Sequence, residues 1–250
     1  MNRVSSPPPL FYEMLKSQSI ELDHGDEDKL ATFLSHLLLV NQQFNLTAIK
    51  DPAEAWVKHI ADSLSLLPFL AALEAKNVAD IGSGGGLPGI PLAIAMPNVS
   101  FTLIESTGKK ARFLSEAVEL LGLSNVSVMQ ARIEDASAFR SAEREAMDAV
   151  TCRAVGQLAS IIELAIPLLK VDGVLLAIKG ERAPQEIQAA QRALELLQAK
   201  VDTTTRTPTG TIVAVLKLAK TSRMYPRDQG LPSRKPLGII EPNESDSQQS

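Results

Sequence analysis

The chain has 250 residues, a formal net charge of −4, and 45% apolar against 22% charged residues, a make-up that excludes the disordered and fibrous classes. The length suits one large domain with appendages. No run approaches the ~18 apolar residues of a membrane helix and the first ten residues lack a signal-peptide stretch, so the sequence reads as cytoplasmic and without a membrane partner.

Residues 1–10, with Ser5-Ser6-Pro7-Pro8-Pro9, read as a flexible arm. Over 26–44 the apolar residues Leu30, Phe33, Leu34, Leu37, Leu38 and Val40 recur at helical spacing, and 52–70 repeats the pattern with Trp56, Val57, Ile60, Leu64 and Leu67. Together they predict a helical cap over 11–75.

From Asn77 the rhythm changes to short apolar strands at 78–81, 101–104, 126–129, 149–152, 174–178, 201–205 and 212–218. Helical stretches fall between them at 90–95, 109–121, 158–169 and 184–199. This alternation predicts an α/β Rossmann-like domain over 76–220, a mostly parallel sheet covered on both faces. The turn Thr207-Pro208-Thr209-Gly210 is too short for a crossover helix, so the last strand should run antiparallel. That variant is the methyltransferase form of the doubly wound sheet. Cys152, the only cysteine, excludes an internal disulfide and reads as a buried thiol. With three scattered histidines there is no metal-ligand spacing, and no metal is expected.

Residues 221–250 read as a tail, basic at first and polar from Asn243 to Ser250. Between Thr203 and Ile240 seven bases stand against one acid, whereas six acids stand against two bases between Glu13 and Lys29. The net charge is acidic, yet this asymmetry permits a nucleic-acid partner.

The strongest local signal is Val78-Ala79-Asp80-Ile81-Gly82-Ser83-Gly84-Gly85-Gly86-Leu87-Pro88-Gly89-Ile90, a strand running into a glycine cluster and then a helix. Bare backbone there lets a ligand approach closely. Gly82, Gly84 and Gly86 form G-x-G-x-G, the methyltransferase form, while Gly84, Gly86 and Gly89 also fit the nicotinamide-cofactor register. Glu105 closes the next strand, where an acid meets ribose hydroxyls in either class. Asp80, inside the first strand, tips the reading toward S-adenosyl-L-methionine, because a pyrophosphate would be repelled there. Ile133 and Glu134 follow the third strand and should edge the adenine, and Arg153 follows the fourth, where it could pair the methionine carboxylate or touch RNA phosphate.

The segments Phe44-Asn45-Leu46-Thr47, His59-Ile60-Ala61-Asp62-Ser63, Asp80 through Leu92, Lys109-Lys110-Ala111-Arg112-Phe113-Leu114 and Cys152-Arg153-Ala154, in that order, resemble the RsmG or glucose-inhibited division protein B family. The resemblance spans about 25–240. It implies transfer of the S-adenosyl-L-methionine methyl to N7 of a guanine in the 530 loop of bacterial 16S rRNA. It further implies that Gly82, Leu87, Ile133, Glu134 and Arg153 contact the cofactor and Glu105 its ribose. The partner is then 16S rRNA or the small-subunit particle, and nothing in the sequence demands more than a monomer.

Guanine N7 carries an in-plane lone pair, so positioning rather than a general base is required. Arg153 and Phe44 are the candidate stackers for an unstacked base, and His59 with Asp62 could orient the cap against the glycine loop. Lys109, Lys110, Arg112, Lys179, Arg223, Arg227, Arg234 and Lys235 are the candidate phosphate contacts. Two other readings compete: a nicotinamide-dependent oxidoreductase, and a non-catalytic RNA-binding ribosome-assembly factor.

Overall fold

The computed structural model describes residues 4–238, so the polar end from Asn243 to Ser250 lies outside the described residues. The helices are α1 (Pro9–Ser17), α2 (Asp26–Val40), α3 (Pro52–Ala55), α4 (Asp62–Leu64), α5 (Leu67–Ala72), α6 (Gly89–Ala95), α7 (Gly108–Leu121), α8 (Ile133–Ala136), α9 (Leu158–Ala165), α10 (Ala183–Ala189), α11 (Gln191–Leu197) and α12 (Leu231–Arg234). The strands are β1 (Asn77–Ile81), β2 (Ser100–Glu105), β3 (Val126–Gln130), β4 (Met147–Arg153), β5 (Leu169–Lys179), β6 (Ala199–Thr207) and β7 (Gly210–Lys217). Between α3 and α4 the chain widens into a π-helical turn, Trp56–Ala61. None of the described helices is long and apolar enough to cross a membrane.

All seven strands fall where the apolar runs predict them, in one sheet of order β3-β2-β1-β4-β5-β7-β6. The first five pair in parallel, while β7 is antiparallel to both β5 and β6. The order reverses between β1 and β4, which opens a crevice at their carboxyl ends. The long helix expected over 158–169 stops at Ala165 because Pro167 removes a helical N–H, and that expected over 184–199 is broken at Ala190.

Strand alternation splits the interior into two layers. Val78, Leu103, Ala149, Leu176 and Ala214 face a core shared with α1, α2, α6 and α7. Ala79, Ile104, Val150, Leu175 and Val213 face the other, shared with α9 and α11. The N-terminal helices therefore form one wall of the sheet's own core. Residues 4–8, expected as a free arm, are tethered: Val4 N–H donates to Ser35 Oγ at 2.9 Å and Trp56 Nε1 to Ser5 O at 3.0 Å. A periodicity search overlooks α1, since it is a single short helix whose buried Phe11, Met14 and Leu15 are too few to establish a repeat.

The tail also packs. Tyr225 is buried and Leu237 lies against the second core. Arg144 anchors it by donating to four carbonyls, those of Ser137, Tyr225, Thr221 and Ser222, at 2.9 to 3.1 Å.

Candidate active site

The β1 strand ends in a turn whose glycines divide the work. Gly82 and Gly84 have φ of +64° and +53°, the left-handed region that favours glycine. A side chain at Gly84 would meet only Gly82 O, at 3.6 Å, whereas one at Gly86 would strike Ile90, and one at Gly89 would strike Leu103 and sit 2.9 Å from Asp80 Oδ2. Gly84 thus faces open space, Gly82 lies against Val155, which a side chain there would meet at 3.0 Å, and Gly86 and Gly89 serve close packing of α6. A cavity of about 310 Å³ opens over the turn, lined by Gly82, Ser83, Gly84, Leu87, Lys110 and Arg153 among others.

Glu105, at the end of β2, accepts from Gly84 N–H at 2.9 Å through one oxygen and from Thr107 N–H at 2.7 Å through the other. It holds the turn to β2 and retains lone pairs for hydroxyl donors. Asp80 does not reach the cavity. It is fully buried beneath the turn, where Oδ1 accepts from Thr151 Oγ1 at 2.9 Å and the Gly89 backbone lies against the carboxyl. Burial pushes its carboxyl up to about 7. Expected beside a ligand's amino-acid end, it instead supports the turn from below.

Arg153, at the end of β4, is the hub. Nη1 donates to Lys58 O at 2.6 Å and to Asp62 Oδ2 at 3.1 Å, and Nη2 lies 2.7 Å from His59 Nδ1. His59 and Asp62, expected to pair with each other, both turn to Arg153, which ties the π-helical turn to the sheet. His59 Nε2 lies 2.6 Å from Thr47 Oγ1, and Asp62 Oδ1 accepts from Thr209 Oγ1 in the β6–β7 turn. Burial, with Arg153 beside it, pulls the His59 imidazole down to about 4, so the ring is neutral. Three of the five guanidinium N–H groups are committed, leaving two for a ligand carboxylate.

Other expected residues scatter. Phe44 is half-buried against the first core, and its neighbours Leu46, Thr47 and Ala48 line the cavity in its place. Asn41 shapes that segment, its Oδ1 accepting from Leu46 and Thr47 N–H at 2.8 and 2.9 Å. Ile133 is half-buried against the second core. Glu134, expected at the adenine edge, turns its side chain to the tail, where Oε1 accepts from Gly230 N–H at 2.7 Å.

Of the phosphate candidates, Lys109, Arg112, Arg223, Arg234 and Lys235 are exposed, and Lys110 lines the cavity. Arg223 stands 4.2 Å over the Phe139 ring. Two candidates are spent internally. Lys179 bridges Glu186 at 2.7 Å and donates to Gly156 O at 2.5 Å, and Arg227 clasps the fully buried Glu163, with Nη2 to Oε2 at 2.6 Å. Lys217, counted among the C-terminal bases, is fully buried on Leu169 O and Glu145. The basic excess of 203–240 is in part internal. Cys152 is buried, and burial pushes its thiol up to about 12, so it is no nucleophile.

The family model described as rRNA small subunit methyltransferase G, GidB, matches residues 26–211. The chain belongs to this family. A GidB relative from Sorangium cellulosum, named ribosomal RNA small subunit methyltransferase G, is 45% identical over 222 residues, 88% of this chain and 92% of that protein. One of the same name from Chloroflexus aggregans is 40% identical, over 91% of this chain and 97% of that one. Among solved structures, the O-methyltransferase from Bacillus cereus in complex with SAH superposes with a TM-score of 0.55 at 20% identity, over 82% of this chain and 96% of that one. That likeness bears on the fold, which the GidB chain shares with methyltransferases.

Proposed function

We propose that the chain transfers the methyl group of S-adenosyl-L-methionine to N7 of a guanine in the 530 loop of 16S rRNA, free or in the small-subunit particle. The observation that carries this reading is the convergence of Gly82, Gly84 and Arg153 on one cavity at the β1/β4 switch point, with Glu105 hydrogen-bonded to its floor. The residues fit the cofactor. Glu105 has lone pairs for ribose hydroxyls, Arg153 has two unspent donors for the methionine carboxylate, and the bare Gly82–Gly84 backbone leaves room between them.

S-adenosyl-L-methionine supplies an electrophilic sulfonium methyl: the N7 lone pair forms the new bond as carbon–sulfur breaks, the electrons remain on sulfur, and no proton moves. The chain's work is to align the two partners and exclude water. Arg153 is locked by three hydrogen bonds, so its position is set before ligand arrives. The neutral His59 keeps a second positive charge away from a base that becomes cationic. Lys109, Lys110 and Arg112 lie at the start of α7, with Lys110 lining the cavity, where they suit RNA phosphate.

The test is incubation of small-subunit particles from a strain deleted for this gene with the protein and methyl-labelled S-adenosyl-L-methionine, followed by nucleoside analysis. Label in 7-methylguanosine from the 530 loop is the expected result; label elsewhere, or none, contradicts the reading and favours a non-catalytic assembly factor.

A further inference from the structure

A second cavity of about 340 Å³ adjoins the glycine cavity and shares Arg153 and Ala154 with it. Its remaining walls include Asp62, Ile178, Glu186 and Thr209, which belong to no part of the glycine turn. It therefore lies at the carboxyl ends of β4 and β5, with Arg153 and Ala154 as the wall between it and the glycine cavity.

The polar groups of this cavity have a particular chemistry. Glu186 Oε2 is held by Lys179 Nζ at 2.7 Å and Leu158 N–H at 2.9 Å, which fixes the carboxylate, while Oε1 has no hydrogen bond among the described residues. Asp62 is spent differently, one oxygen on Arg153 and the other on Thr209. Glu186 Oε1 is thus the acceptor with unused capacity, since Oε2 is filled by Lys179 and Leu158, and its two lone pairs can take two adjacent donors. Guanine presents such a pair, N1–H and the N2 amine. Adenine presents an acceptor at N1 and has no N2 amine, so an ionised carboxylate would repel that edge. In a purine, N7 lies on the side of the ring system opposite N1 and N2. A guanine with its N1–N2 edge on Glu186 would therefore turn N7 toward Arg153, Ala154 and the glycine cavity. Recognition and alignment for transfer are met by a single placement.

We propose that this second cavity receives the acceptor guanine, flipped out of its RNA, and that Glu186 is the residue that selects guanine by accepting from N1–H and the N2 amine. The inference rests on the guanine-N7 reading above. Ile178 supplies an apolar wall for the base, and Thr209, fixed on Asp62, closes the side formed by the β6–β7 turn.

The test uses Glu186→Gln in the full chain, with undermethylated small-subunit particles as substrate. Glutamine keeps the size but replaces one acceptor by a donor that opposes the guanine edge. The expected result is a loss of at least tenfold in kcat/KM for the particles, mostly through KM, with S-adenosyl-L-methionine affinity by calorimetry within twofold of the wild type. Glu186→Ala should lose at least as much. A kcat/KM within twofold of the wild type overturns the proposal. So does an equal loss of S-adenosyl-L-methionine binding, since that marks Glu186 as a prop of the fold. If the wild type forms no 7-methylguanosine, the functional reading falls and this inference with it; if it does and the variant matches it, this inference falls alone.

Discussion

Arg153 Nη2 stands 2.7 Å from His59 Nδ1, a donor facing a ring nitrogen that must be bare to accept. The imidazole proton is then on Nε2, donated to Thr47 Oγ1 at 2.6 Å. One neutral histidine joins the loop before α3, the π-helical turn and the end of β4. Arg153→Met removes the donor and its charge. The His59 pKa, read by NMR titration of the imidazole, should rise from about 4 toward the ordinary value, and S-adenosyl-L-methionine affinity should fall by roughly tenfold or more. An unchanged His59 titration would disprove the contact.

The same histidine gives the fold an acid sensitivity. The unfolded chain protonates this ring near its ordinary 6.5 and the folded chain only near about 4, so the His59 contribution is complete above pH 6.5 and lost as pH falls through 4. Its size is at most about 3 kcal/mol. Asp80 acts in the opposite sense, since a folded value of about 7 against 3.8 lowers stability as pH rises between them. A comparison with His59→Gln isolates the histidine: in urea unfolding, the variant should lose less stability than the wild type between pH 7 and pH 4.5. Parallel losses would count against a buried neutral ring.

Two glycines should separate binding from stability. Gly84→Asp places a carboxylate in open space beside Glu105, at φ +53°, for about 1 kcal/mol of backbone cost. The protein should stay folded by circular dichroism yet bind S-adenosyl-L-methionine roughly a hundredfold more weakly, or not at all. Gly89→Ala drives a methyl against Leu103 and Asp80 and should cost about 1–3 kcal/mol in denaturant unfolding. Wild-type binding by the first variant would mean that the pocket is elsewhere.

Arg227 and Arg112 make a matching contrast. Arg227→Met leaves the Glu163 charge buried with only the backbone N–H of residue 227 on it, a loss of about 3 kcal/mol that calorimetric melting will register. Arg112→Ala should leave melting unchanged and lower the slope of log affinity for RNA against log salt by about one. If both variants changed only RNA affinity, the internal role of Arg227 would be wrong.

Most of the sheet is legible because its strands are apolar runs of ordinary length bounded by polar or turn residues, as in Phe101 to Ile104 and Ile212 to Leu216, while β6 shows through its β-branched Val201-Asp202-Thr203-Thr204-Thr205. The positions of Gly82, Gly84, Glu105 and Arg153 followed from that order, since strand ends at a switch point converge. Side-chain partners did not follow. Arg153 meets Lys58, His59 and Asp62 across more than ninety residues, and no local pattern announces such a contact. The direction of Asp80 is not legible either, because an acid at a strand end can face a ligand or the neighbouring helix with the same alternation. Lys179, Lys217 and Arg227 counted as surface charge because composition carries no information on burial.

A crystal structure with S-adenosylhomocysteine tests the central claim most directly. The account predicts the ribose hydroxyls on the Glu105 carboxylate and the amino-acid carboxylate on Arg153, with the ligand lying along the Gly82–Gly84 backbone. A ligand seated away from that turn, or one making no contact with Glu105 and Arg153, would contradict it.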